Sequence, residues 1–288
     1  MSGPVVTVIT HRRAEEVRDA LDLLRQLAEE TGATLRFDPE ETEKHGIEGD
    51  GERGIANALI DRNVDLCLVL GGDGTILTAL REYEGTGVPV FAVNYGEVGF
   101  LATVDPDRVE DGLRRALTGD FEAMSLPAIA VDGPGGDDLG AINDISFHRR
   151  PGMRVADLAY AIGEDEIGRV RCDGLVVSTP AGSTGYNLAN GGPVMAWGVE
   201  GYVVSFIAPH SLTARSLVVA PNDTLIVHNR SSEDAVDVTV DGRLARELGA
   251  GGALEVRFAD DRARLAQVPG ATFYHRLREK FGRLASGV

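Results

Sequence analysis

The sequence predicts a parallel α/β domain followed by a layered, antiparallel β domain and a closing helix. Two observations carry this. Over roughly the first 120 residues, apolar runs of strand length alternate with segments of helical spacing, the pattern of a sheet covered by helices. From about Phe121 onward, short β-rich runs follow one another with turn residues such as Asn222-Asp223 and Asp241-Gly242 between them.

In order, Val5–Thr10 reads as a strand, and Ala14–Glu30 as a helix with Val17, Leu21, Leu24 and Leu27 on one face. Thr34–Phe37 is a short strand, and Gly54–Ile60 reads as a short helix after an acidic loop. Asp65–Leu70 is a buried strand, Thr75–Tyr83 a helix, Val88–Val93 a strand and Pro106–Leu117 a helix. The β-rich part comprises Ala128–Val131, Ala141–Phe147, Leu158–Ile162, Leu175–Ser178, Tyr202–Ile207, Ser216–Val219, Thr224–Val227, Ala235–Val240 and Leu254–Phe258. Tyr274–Leu284 is a charged helix. The expected division is 1–122, 123–265 and 266–288, with the last segment docking on the first domain.

Composition narrows the function classes. The chain has 28 basic and 45 acidic residues, net charge −17, and Lys44 and Lys280 are its only lysines. Such acidity argues against nucleic-acid or anionic-membrane partners, which need clustered basic residues. An acidic, lysine-poor surface resembles that of proteins from salt-loving organisms, where ionic strength screens self-repulsion. Neither lysine stands in a Gly-Lys-Ser/Thr context, so a Walker loop is excluded and bound phosphates fall to backbone amides, arginine and metal. Cys67 and Cys172 are far apart and in apolar surroundings, which reads as two buried hydrophobes with no metal site. The absence of a signal-like N-terminus and of a long apolar run predicts a cytoplasmic protein.

Four segments carry the chemistry. Gly71-Gly72-Asp73-Gly74-Thr75 follows a buried strand and opens a helix, which places backbone N–H groups and a helix N-terminus at one point. Phosphates are expected against the Gly72 and Gly74 amides, with Asp73 facing a hydroxyl, as base and orienter, or a metal-bound phosphate. A weak base suffices there, because the loose transition state of phosphoryl transfer lets the proton leave late. Asn94-Tyr95-Gly96-Glu97-Val98-Gly99-Phe100-Leu101 stands at the end of the next strand, where α/β sheets gather ligands, and Phe100 is expected flat against a base. Asn143-Asp144 pairs an amide with a carboxylate, a combination suited to adenine and ribose. Arg171 to Asn187 is the longest: a strand delivers Ser178-Thr179 to a Pro-Ala-Gly turn, and Ser183-Thr184 precede a helix start near Tyr186. Its hydroxyls are expected to converge on an anion or nucleotide.

In this order and spacing, the four segments resemble the NAD kinase family over nearly the whole chain. The Gly-Gly-Asp-Gly-Thr run alone is shared with phosphofructokinases and with sphingosine and diacylglycerol kinases. The Ser-Thr-Pro-x-Gly-Ser-Thr-x-Tyr string is closer to specific. The resemblance implies an N-terminal Rossmann-like α/β domain and a C-terminal layered all-β domain. It implies transfer of a phosphoryl group from ATP or polyphosphate to the 2′-hydroxyl of the adenosine ribose of NAD, with Mg²⁺ or another divalent cation. Asp73 takes the general-base position. Gly71, Gly72, Gly74, Thr75, Asn94, Phe100, Asn143, Asp144, Arg154, Arg171, Asp173, Thr179, Ala181, Ser183, Thr184, Gly185, Tyr186, Asn187 and Arg243 are the expected binding residues. A homodimer or homotetramer is expected, with a neighbouring subunit completing the site. The chain departs from the family pattern in having Asp144 for a glutamate, Gly185 for an alanine and Arg243 where glutamine is common. Alternative readings are a lipid or sphingoid kinase sharing the glycine signature, and a non-catalytic NAD(P)-binding sensor.

Overall fold

A computed structural model describes residues 3–47, 54–97, 99–133, 135–136, 138–270 and 272–285. The chain divides into two compact units, Met1–Ser125 with Ala263–Val288, and Leu126–Arg262. The dividing points thus lie three residues from the expected ones at each crossing, and the closing helix belongs to the first unit.

The first unit begins β1 (Val5–Thr10), α1 (Arg18–Thr31), β2 (Thr34–Arg36), α2 (Pro39–His45), β3 (Gly54–Ile55) and β4 (Leu66–Gly71). It continues with α3 (Asp73–Glu82), β5 (Pro89–Asn94) and α4 (Val109–Thr118). The sheet runs β5-β4-β1-β2-β3, and every pairing in it is parallel. All six residues of β4 are buried, as expected of a central strand covered on both faces. Leu21, Leu24 and Leu27 of α1 share a core with Leu66, Leu68 and Leu70 of β4 and with Leu113 and Leu117 of α4.

One helix is misplaced by the sequence reading. Gly54–Ile60 forms no helix; Gly54 and Ile55 pair with Leu35 and Arg36 as a short edge strand. The helix lies earlier, in the acidic segment read as a loop. There the Asp38 carboxylate accepts the Glu41 N–H at 2.8 Å and Pro39 occupies the first helical turn. The Asp-Pro start was legible, but the lack of an apolar stripe hid it.

The second unit contains β6 (Glu122–Asp132, from residue 126), β7 (Asp138–Ala141), β8 (Asp144–Arg149), β9 (Ala156–Ile162) and β10 (Asp165–Cys172). Next come β11 (Gly174–Ser178), α5 (Tyr186–Ala189), β12 (Tyr202–Ile207), β13 (Leu217–Val219), β14 (Leu225–Asn229), β15 (Val236–Val240) and β16 (Arg243–Leu248). One antiparallel sheet runs β13-β12-β11-β8-β15-β16. A second antiparallel set joins β10, β9, β14 and the start of β17 (Ala253–Gln267). Side chains from both meet in one core, with Phe147, Val177 and Val204 on one side and Leu158, Leu225 and Val256 on the other. This is the expected layered β domain. The sequence reading missed β10 and β16, which are rich in charge and lie at sheet edges, where polar residues discourage pairing with other chains.

β17 is fifteen residues long where the sequence suggests five. Its first part belongs to the second unit, and Arg264 and Leu265 pair in parallel with Pro89 and Val90 of β5 in the first. The helix α6 (Phe273–Ala285) follows. Cys67 and Cys172 are both buried free thiols, and burial pushes the Cys172 thiol up to about 12. No helix among the described residues is long and apolar enough to cross a membrane.

Candidate active site

In the first unit the site is built on the C-terminal ends of β4 and β5. Gly72 precedes α3, and its carbonyl accepts the N–H groups of Thr75 and Ile76. Asp73 is the first helical residue and is half-buried. Its two carboxylate oxygens accept one backbone N–H each, from Phe100 at 3.0 Å and Leu101 at 2.9 Å. The carboxylate is thereby held in one orientation by two donors.

The glycines of the loop divide by what surrounds them. A side chain on Gly72 would meet the Gly96 Cα at 2.9 Å, so these two glycines let the β4 and β5 loops touch backbone to backbone. A Cβ on Gly71 would meet the Thr75 side chain at 2.7 Å. Gly74 alone of the three has nothing within 4 Å and is exposed. Gly72 thus lets the two loops pack closely, and Gly74 faces open space. Beside Gly74, Thr75 and Thr78 lies a cleft of about 420 Å³, bordered also by Thr10, Arg12 and Lys44 and by the acids Asp38, Glu40, Glu41 and Glu82. The Lys44 ammonium is engaged by the Thr10 carbonyl at 3.2 Å and the buried Glu41 carboxylate at 2.7 Å. Arg12 is exposed and makes no side-chain hydrogen bond or ion pair with a described residue.

Two predicted residues of the β5 loop have other tasks. The Asn94 side chain donates to Asp105 at 3.3 Å and accepts the Gly96 N–H at 2.9 Å, so it shapes the turn. Gly99 next to it has φ +69°, and a Cβ there would lie 2.2 Å from the Asn94 amide nitrogen. Phe100 does not present its ring to a ligand. The ring is buried against Phe273 and Phe281 of α6, with centroids at 6.2 and 5.6 Å. Being apolar, it is more stable in that core, and its backbone N–H is the part that reaches Asp73. Val98 lies outside the described residues.

In the second unit Asn143 and Asp144 stand where β7 passes into β8. The organising group is Asp241, in the β15–β16 turn at φ +47°. Its carboxylate accepts the N–H groups of Ile142 at 3.1 Å, Asn143 at 2.8 Å and Asp144 at 3.1 Å. Asp144 itself is buried, and no described residue donates to its carboxylate. Burial, then the neighbouring Asp241 charge, push the Asp144 carboxyl up to about 7. The Asn143 Oδ1 atom is buried and has no partner either. Two polar groups side by side thus lack protein partners, the condition of a site waiting for a ligand.

The hydroxyl-rich segment behaves otherwise than expected. Ser178 Oγ donates to the Asn143 carbonyl at 3.1 Å, and Thr179 Oγ1 donates to Ile142 at 2.5 Å while accepting the Gly182 N–H at 3.0 Å. Ser183 Oγ donates to Pro180 at 2.7 Å and accepts the Met195 N–H at 2.9 Å. The Asn187 amide donates to the Ser183 and Pro193 carbonyls at 2.9 and 3.0 Å. All four side chains are fully buried, so their polar groups tie the turn together instead of converging on an anion. α5 is only four residues long and adds no appreciable dipole. Ala181 is buried beneath it, Thr184 is half-buried, and Gly185 and Tyr186 are exposed. The Tyr186 ring stacks on His148 with centroids at 5.7 Å.

Asp173 is paired with Arg149, Nε to Oδ1 at 2.5 Å, and that guanidinium holds the carboxyl below its usual range. Arg154, Arg171 and Arg243 are exposed, and none makes a side-chain hydrogen bond or ion pair with a described residue. Sequence reasoning missed Asp241, Arg149 and Arg276. Asp241-Gly242 read as a turn, and the two arginines carried no signal beyond charge. Among the described residues no group of three or more His, Cys, Asp or Glu is placed to hold a metal ion.

The class so defined is an α/β-plus-β protein with a Gly-Gly-Asp-Gly-Thr loop on the first unit and a carboxylate pair on the second. The family models for the ATP-NAD kinase N-terminal domain and the ATP-NAD kinase C-terminal domain match residues 7–121 and 142–268. The chain is 34% identical over 282 residues to the NAD kinase of Gemmatimonas aurantiaca, covering 96% of this chain and 95% of that one. It is 38% identical over 221 residues to the NAD kinase of Symbiobacterium thermophilum, covering 75% and 78%. The chain belongs to the NAD kinase family. Among solved structures, an NAD kinase from Archaeoglobus fulgidus in complex with ATP matches with TM-score 0.70 and 25% identity over 98% of each chain. Yeast NADH kinase complexed with NADH has the same fold, with TM-score 0.86 and 21% identity over 100% of this chain and 90% of that one.

Proposed function

We propose that this chain phosphorylates NAD, moving the terminal phosphoryl group of ATP or polyphosphate to the 2′-hydroxyl of the adenosine ribose to give NADP. The carrying observation is Asp73, a carboxylate clamped by two amides beside the open Gly74. In the reaction the hydroxyl oxygen bonds to the terminal phosphorus, the bond from that phosphorus to its bridging oxygen breaks, and the hydroxyl proton passes to Asp73. The shortened donor leaves. Its phosphates would lie in the cleft along Gly74, Thr75 and Thr78, facing the unpaired Arg12. No described group of three or more ligating residues would hold a divalent cation by itself, so the cation would enter with the donor phosphates and offset their charge beside Asp38, Glu40, Glu41 and Glu82 of the same cleft.

The unpartnered Asn143 Oδ1 and Asp144 carboxylate suit the amino and hydroxyl groups of adenosine. Tyr186, Gly185 and Thr184 would frame the same end, and Asp173 the nicotinamide end. Arg154, Arg171 and Arg243 are free to meet pyrophosphate or donor oxygens. The same reading has the protein acting as a cytoplasmic homodimer or homotetramer, which light scattering of the purified protein tests. The activity is tested by following NADP from NAD with ATP or polyphosphate and Mg²⁺, in dilute buffer and in molar KCl. No NADP with any donor at any salt concentration would sink the reading.

A further inference from the structure

Arg276 of α6 is a buried cation outside every segment the sequence singled out. It is 7% exposed. Its guanidinium donates to the Phe100, Ala102 and Thr103 carbonyls, at 3.3 Å for Phe100 and 3.4 Å for Thr103, and to Gln267 Oε1 at 3.0 Å. The Phe100–Thr103 turn it grips is the one whose Phe100 and Leu101 N–H groups hold Asp73. Phe273 and Phe281 of the same helix clasp the Phe100 ring. Thr103 is also tied by its hydroxyl to the Ala266 carbonyl at 2.9 Å.

A buried charge needs a reason, since an apolar residue would fill a core at less cost. Burial lowers the Arg276 pKa to about 10, and Asp105, Asp73 and Glu279 raise it, so the group stays charged at neutral pH. An arginine also offers five donors in a rigid plane, which lets one side chain satisfy several carbonyls of a tight turn. The Phe100 carbonyl shares its peptide unit with the Leu101 N–H that binds Asp73, and the Ala102 and Thr103 carbonyls lie two and three peptide units further along the same turn. Fixing them therefore fixes the direction in which the N–H groups point.

We propose that Arg276 is a positioning residue for Asp73, acting from the closing helix through the Phe100–Thr103 turn to set the orientation of the carboxylate. The proposal rests on the reading of Asp73 as the base. A misplacement of about 1 Å at a reacting group costs on the order of 10²-fold in rate. Loosening the turn should therefore lower turnover without touching the dinucleotide contacts.

The test compares Arg276→Gln, Arg276→Lys, Asp73→Asn and the double variant Asp73→Asn/Arg276→Gln, with rates taken per folded molecule. Arg276→Gln is expected to lower kcat by about 10- to 100-fold with the KM for NAD changed by less than about 3-fold. Arg276→Lys should recover part of kcat. In the Asp73→Asn background, Arg276→Gln should cost less than about 2-fold, because the group it orients is already lost. Amide exchange over residues 99–104 should rise in Arg276→Gln while the rest of the chain keeps its protection. Should Arg276→Gln fail to fold, the same measurements on Arg276→Lys decide, with a smaller loss of kcat and a local rise in exchange expected. Wild-type turnover in the folded Arg276 variants, or a loss that multiplies in full with Asp73→Asn, overturns the proposal alone. Wild-type turnover in Asp73→Asn overturns the base assignment, and the proposal with it.

Discussion

Asp73 and Asp144 are aspartates placed just past glycine turns or strand ends, and their surroundings are opposite. Asp73 receives two amide N–H groups and sits at the start of a ten-residue helix. Asp144 receives none; the three amides nearest it are taken by Asp241, whose charge adds to the burial that pushes Asp144 up to about 7. One unit thus presents a carboxylate held by two backbone donors. The other presents a carboxyl that is largely protonated below neutrality and lacks a partner. The lesson is that burial and neighbouring groups, and not residue type, decide what surrounds each aspartate.

The largest effect that sharpens this contrast is expected at Asp73. Asp73→Asn should lower NADP formation by at least ~10²–10⁴-fold, the range of a positioned acid or base, with NAD binding by calorimetry retained. Retained turnover would erase the distinction between the two sites. Next comes Gly182→Ala, whose Cβ would lie 2.1 Å from the Asn143 carbonyl oxygen. It should cost about 3 kcal/mol in urea unfolding, because the Asn143 backbone cannot yield. Gly74→Ala, with nothing within 4 Å, should change stability by no more than about 0.5 kcal/mol. Equal costs at the two glycines would break the division between packing and open positions.

Asp241→Ala removes the acceptor of three amides and should destabilise the second unit by about 2 kcal/mol, tempered because Asp241 is partly exposed and water can replace it. The second site also predicts a pH slope. A carboxyl near 7 in the folded chain and about 3.9 unfolded keeps a proton that the unfolded chain releases. The native state therefore loses stability as pH rises from ~4 to ~7, and the cost is complete above that. Asp144→Asn should flatten this slope and raise the melting temperature at pH 8 relative to wild type. An unchanged slope would show that Asp144 is ionised throughout.

Much of this was legible beforehand. Alternating apolar runs gave away the parallel sheet, and Gly71–Thr75 marked the loop at the end of β4. The surroundings of each group were less legible. The Phe100 ring, expected against a base, packs in the core, and the hydroxyls of Ser178, Thr179 and Ser183, expected on an anion, bind their own turn. A buried serine and a ligand-facing serine look alike in a sequence, since both sit beside glycine at a strand end.

The sequence by itself determined the alternation of elements, the apolar faces, the glycine loop and the scarcity of lysine, because each is a property of neighbours along the chain. The tertiary structure alone decided which donors reach which acids. The Phe100 amide meets Asp73 across 27 residues, the Asn143 amide meets Asp241 across 98, and Arg276 reaches Ala102 across 174. Such partners depend on how strands cross over and where the last helix returns. The chemistry of each aspartate is set by the donors and burial that this return supplies.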